Sequence, residues 1–152
     1  MSFVTPRAHM EETGSIELDE THWPLAISTL TGRPTTEMVE SYIVRLTKMH
    51  MRGERFVCLI FIRLSRPDFA HVTRLGSWTK QNQELSRRWN AGNAIVLGSP
   101  AMRFIMSAFY LVAVPPSPTS VFEDEDKAKA WLRRRMTEEK MRVPGYLLGG
   151  SG

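Results

Sequence analysis

The chain has 152 residues, 42% apolar and 24% charged, with a net charge of +4. That length fits one domain with a real core, and the composition is ordinary for a globular protein, so a wholly disordered chain is excluded. The single cysteine, Cys58, excludes an intrachain disulfide and with it a disulfide-stapled fold.

Charge is unevenly spread. Residues 1–20 hold one base and five acids, whereas residues 33–103 hold twelve bases and five acids. Such an excess can attract nucleic acid or an acidic protein. Here the bases are scattered along helical stretches without interleaved aromatics, which favours a solvated basic face over nucleic-acid binding.

Residues 1–13 are polar and aperiodic, and are expected to be frayed. The stretch "MSFVTPRAHMEETG" has no apolar core of a signal peptide. Ile16 and Leu18 then alternate with Glu17 and Asp19, Asp19 to His22 reads as a turn, and Leu25, Ile27 and Leu30 resume the apolar pattern. Two antiparallel strands in a hairpin are predicted. "PTTEMVESYIVRLTKMHMRG" is a helix: Thr35 or Thr36 caps it, Val39, Tyr42, Ile43, Leu46 and Met49 form one stripe, and Gly53 stops it.

"RFVCLIFIRL" is apolar on both faces, as in a strand of a parallel sheet covered on both sides. Cys58, inside it, reads as a buried, inert thiol. Ser65, Pro67 and Asp68 open a long helix with Phe69, Val72, Leu75, Leu85 and Trp89 inward, closed by Asn90 to Asn93. "AIVLGS" is a short buried strand. Ser99 and Pro100 start the next helix, Met102 to Val114, which Pro115, Pro116 and Pro118 end. Thr119 to Phe122 is a last strand. "EDEDKAKAWLRRRM" is a last helix, acidic at its start and basic at its end as the helix dipole favours, with Ala128, Trp131, Leu132 and Met136 inward. The tail "VPGYLLGGSG" is read as non-helical, and residues 149–152 have the composition of a linker.

The predicted fold is α/β: an N-terminal β-hairpin, then alternating α and β, giving a mostly parallel mixed sheet of about five strands with about four helices. The domain is expected over residues 14–136, with a tail over 137–152. The longest apolar stretch, Phe104 to Val114, is shorter than the roughly 20 residues a membrane-spanning helix needs, so no membrane insertion and a cytoplasmic location are expected.

Three stretches carry a family resemblance: "WPLAISTLTGRPTTEMVESYIVRL", "GNAIVLGSPAMRFIMSAF" and "TSVFEDEDKAKAWLRRRM". They resemble the STAS superfamily, the sulfate-transporter and anti-sigma-factor-antagonist fold, in its SpoIIAA-like branch. The likeness covers roughly Ser15 to Met136. It implies a non-enzymatic bacterial module that binds a partner protein, often under control of a phosphorylated Ser or Thr after the central strand. At that place this chain reads "RLSRPDFAHV", so Ser65 is the phosphorylation candidate. No Ser-Ser-Gly follows it, and Phe61 and Ile62 stand where relatives often end the strand with an aspartate.

No residue is marked for catalysis. There is no nucleophile elbow, phosphate loop or dinucleotide fingerprint. His9, His22, His50 and His71 lack metal-ligand spacing, so no metal and no cofactor are expected. The helix from Met102 to Val114 carries more apolar residues than one inward stripe can bury, with Arg103, Ser107 and Tyr110 as its narrow polar strip. Its surplus marks an interface with a partner protein or a second copy of the chain. The expected contact residues are Met102, Met106, Phe109, Tyr110 and Val114, with Tyr146, Leu147 and Leu148 from the tail. The alternative is a carrier holding lipid or nucleotide in a pocket beside the same helix.

Overall fold

The computed structural model of the chain describes residues 13–112 and 114–149, without the side chains of Phe109, Leu111 and Val112. The expected frayed N-terminus therefore lies, except for Thr13, outside the described residues, as does most of the linker-like end.

The hairpin forms as predicted. Strand β1 (Ser15–Asp19) pairs antiparallel with β2 (Leu25–Gly32). The turn between them is held by Thr21 N–H donating to Asp19 Oδ1 at 2.9 Å. Helix α1 (Thr36–His50) is capped by the Thr35 hydroxyl, which accepts from Met38 N–H at 3.2 Å. Beyond the helix Gly53 has φ +71°, a conformation that favours glycine.

Strand β3 (Phe56–Leu64) is central, parallel to β2 on one side and to β4 (Asn90–Val96) on the other. Strand β5 (Thr119–Phe122) adds parallel to β4, so the sheet runs β1-β2-β3-β4-β5. This is the mixed, mostly parallel sheet of five strands that the pattern predicts.

Between β3 and β4 the single predicted helix is two. Helix α2 (Phe69–Gln81) and α3 (Gln83–Trp89) meet at Asn82. The Asn82 side-chain amide donates to Trp78 O at 2.8 Å, as does its backbone N–H at 3.0 Å. The backbone bond is the regular helical one, so the side-chain bond is an addition to the last turn of α2. The inner residue of α2 is Trp78, whose indole N–H donates to the Thr47 hydroxyl at 2.9 Å, whereas Phe69 is 74% exposed. The segment Asn90 to Asn93 does not close the helix but opens β4. The register slips there: Phe56 opposes Asn90 and Val57 opposes Gly92, leaving Ala91 as the extra residue of a bulge. Its carbonyl accepts from Arg135 Nε at 3.0 Å, which supplies the partner a bulge otherwise lacks.

Helix α4 (Pro100–Val112) follows, with the Ser99 hydroxyl accepting from Met102 N–H at 3.3 Å. Helix α5 (Glu125–Glu138) is capped by Asp124, which accepts from Lys127 N–H at 3.0 Å. The tail is not extended throughout, because Gly145–Leu148 forms one helical turn, α6.

The strands alternate sides, and the two faces are filled differently. On one face Leu25, Ile27, Val57, Leu59 and Ala94 pack against Ala128, Leu132 and Met136 of α5 and Leu147 of α6. On the other, Ala26, Phe56 and Cys58 pack against Val39, Tyr42, Ile43, Leu46 and Met49 of α1 and Trp78 of α2. Leu147 is fully buried although it lies in the tail, and its carbonyl accepts from Arg133 Nη1. Leu147→Ala should therefore destabilise the fold by about 2–5 kcal/mol, as deletion of a core leucine does. Leu148, 65% exposed, should lose no more than about 0.5 kcal/mol on the same change. Chemical denaturation of the two variants checks the contrast.

Candidate functional site

Among the described residues, the α1-bearing face is not filled along its whole length. A cavity of about 1260 Å³ opens between it and helices α2 and α4. Ile60 and Ile62 of β3 and Ile95 of β4 form the floor. Val72 and Leu75 of α2 form one wall. Met102, Met106 and Tyr110 of α4 form the roof, four residues apart and so on one helical stripe. Burial pushes the Tyr110 phenol up to about 12. Its place in the cavity lining puts the tyrosine on the inner stripe and not on an outer polar strip with Arg103 and Ser107. Arg103, the one charge on α4, pairs with Glu123 at 2.9 Å.

One end of the cavity, at the amino ends of β4 and β5, is polar. His50, Ser86, Asn90, Asn93, Ser117 and Thr119 meet there. Asn90 Nδ2 donates to Asn93 Oδ1 at 2.8 Å, and Asn93 Nδ2 donates to the Thr119 hydroxyl at 3.1 Å. Thr119 donates to Ser117 O at 3.0 Å, and Ser117 donates to Ser86 O at 2.9 Å. His50 Nδ1 lies 2.8 Å from Leu46 O. A carbonyl only accepts, so Nδ1 carries the proton and Nε2 accepts from the Ser86 hydroxyl at 3.2 Å. Phe56 and Trp78 stand edge-on to the imidazole at 4.8 and 5.1 Å.

The other end lies at the carboxyl ends of β2 and β3, where Arg33, Arg66 and Asp68 line the opening.

No family model matches the chain, and no curated protein does. Among solved structures it is similar to an uncharacterized protein of the DUF3478 family, with a SpoIIAA-like fold, from Shewanella loihica PV-4. Identity is 17%, the match covers 79% of this chain and 94% of that one, and the TM-score is 0.53. The fold is SpoIIAA-like.

This SpoIIAA-like sheet separates the residues singled out in the sequence. Met102, Met106, Tyr110 and Val114 line the cavity, with Val114 80% exposed beyond the end of α4. The side chain of Phe109 lies outside the described residues. Tyr146 and Leu147 pack against the opposite face: the Tyr146 hydroxyl bonds Glu125 Oε2 at 3.1 Å, and its ring lies 4.4 Å from Lys129 Nζ. Leu148 points to solvent. The two groups do not form one surface. Ser65 is exposed in the β3–α2 connection, and its N–H donates to Gly32 O at 2.9 Å. The first-turn N–H groups of Ala70 and His71 are taken by the Asp68 carboxylate at 2.9 and 3.3 Å. Cys58 is buried, which pushes its thiol up to about 12. Among the described residues no group of His, Cys, Asp or Glu is placed to hold a metal ion, and no helix is long and apolar enough to cross a membrane.

Sequence reasoning passed over His50, Ser86, Asn90 and Asn93. The available signal was His50 itself, which follows Leu46 by four residues and so continues the inner stripe of α1. Burial holds its imidazole below the ordinary 6.5. Above that value the ring is neutral in both folded and unfolded chains. Below it the unfolded chain takes the proton more readily, so stability falls with pH until the lower folded value is passed. The slope should not exceed ~1.4 kcal/mol per pH unit for one group. Denaturation midpoints from about pH 7.5 to about pH 5.5 should show this fall. His50→Gln should flatten it.

Proposed function

We propose that this chain is a small-molecule-binding module that holds an apolar ligand between its sheet and α4. One observation carries the reading: the cavity of about 1260 Å³ with its isoleucine floor and its Met102–Met106–Tyr110 roof. Ligand sites commonly span about 300–1,000 Å³ and are mainly apolar with a few placed polar groups. An apolar hollow of this size forgoes packing that an ordinary core would make, and an apolar guest restores it. Methionines suit such a roof, because they adapt to guests of different shape. The reading is one of binding and carriage, without a reaction.

Ile60 is half-buried and lines the cavity, so a larger side chain there has room to enter it. Ile60→Trp should leave the melting temperature unchanged or higher. It should weaken binding of a neutral apolar dye such as Nile red by roughly tenfold or more, since the guest loses its contact area. Equal dye binding by both proteins would remove the cavity from consideration. Native mass spectrometry of the purified chain gives a second readout, as retained ligand mass.

The outer side of α4 favours a second reading, association with a partner protein or a second copy. Phe104 is 76% exposed there, and the adjacent Ile105, which also reaches the cavity lining, is 42% exposed. Isolated exposed apolar residues are common, but two adjacent ones on a helix add to a patch. Ser65 would be the phosphorylation site of such a module. Phe104→Glu should then abolish association in light scattering and leave dye binding intact.

A further inference from the structure

The arrangement of charge around the cavity says what kind of molecule it takes. Its lining holds three cationic residues, Arg33, Arg66 and Lys80, and one carboxylate, Asp68. The acid is already engaged: one of its oxygens accepts from Ala70 and His71 N–H, and the other lies 3.7 Å from His71 Nδ1. Lys80 is in the last turn of α2, whereas Arg33 and Arg66 share the opening.

The two arginines are brought together by the sheet. Arg33 follows Gly32, the last residue of β2, and Arg66 lies two residues past Leu64, the last of β3. Gly32 and Leu64 are register partners, and the Ser65 N–H to Gly32 O bond carries the pairing one step further. Arg45, Arg52, Arg55, Arg74, Arg87, Arg103 and Arg135 each have a carboxylate partner; Arg66, like Arg63, Arg88, Arg133, Arg134 and Arg142, has none among the described residues, and of these six Arg66 alone lines the cavity. From this edge Leu64, Ile62 and Ile60 lead inward along one side of β3. Toward the far end, where α2 brings Lys80, the asparagine, serine and threonine side chains are bonded to one another or to backbone.

We infer that the ligand is an anionic single-chain amphiphile. Its carboxylate or phosphate head sits at Arg66, and its hydrocarbon tail lies along Ile62, Ile60 and Ile95 under α4. A guanidinium matches either head group with paired N–H donors. This inference rests on the cavity reading above and adds the charge of the head.

Displacement of Nile red from the full chain tests it, with four probes of one oleyl or oleoyl chain: oleate, oleoyl lysophosphatidate, neutral oleyl alcohol and cationic oleylamine. One or both anions should displace the dye at roughly tenfold lower concentration than the alcohol, the difference one charge-assisted contact makes. Which anion is better tells carboxylate from phosphate. Arg66→Gln should remove that advantage and leave the alcohol unchanged, whereas Arg66→Lys should keep part of it. Equal displacement by the alcohol, preference for the amine, or an unaffected Arg66→Gln variant overturns the assignment of the head while the cavity reading stands. Failure of every probe, with dye binding indifferent to Ile60→Trp, overturns both.

Discussion

The structure depends on one constraint, the need to cover β3 on both faces. Every residue from Phe56 to Phe61 except Ile60 is buried, and the alternation of the strand sends apolar groups to both sides. One side is closed by α5 and the docked tail turn. The other is closed by α1 only over its amino-terminal half, where Phe56 and Cys58 lie, and from Ile60 onward α2 and α4 stand off the sheet. The cavity is thus a direct result of an unequal division of cover.

The elements read correctly from the sequence are those whose own periodicity decides their packing. The α1 stripe, the uninterrupted apolar run of β3 and the capped, dipole-matched α5 each agree with one environment only. The misread elements depend on contacts made elsewhere. At Asn82, where α2 ends, the side-chain amide bonds back to Trp78 O, and β4 starts early with a register slip against β3. The helical turn of α6 is too short to form without tertiary support, here the burial of Leu147 against α5.

The site was legible in part. The surplus of apolar residues on α4 predicts an interface with a partner or a second copy, and three of the residues named for it, Met102, Met106 and Tyr110, line the cavity. What one dimension could not show was the side of the sheet to which each segment returns. The tail residues Tyr146 and Leu147 have the same character as the α4 residues, yet the path after α5 takes them to the opposite face. Nor does sequence spacing reveal that His50 and Ser86, on helices separated by a strand and another helix, share a hydrogen bond.

The bulge at Ala91 has a consequence for that polar end. In a regular strand, residues three apart project to opposite sides, so Asn90 and Asn93 would be divided between the two layers. One inserted residue changes the parity, and both asparagines turn toward the same chamber. Arg135 reaches across from the other layer to hold the insertion in place through the Ala91 carbonyl. The well-packed side of the molecule thereby dictates the chemistry displayed on its hollow side.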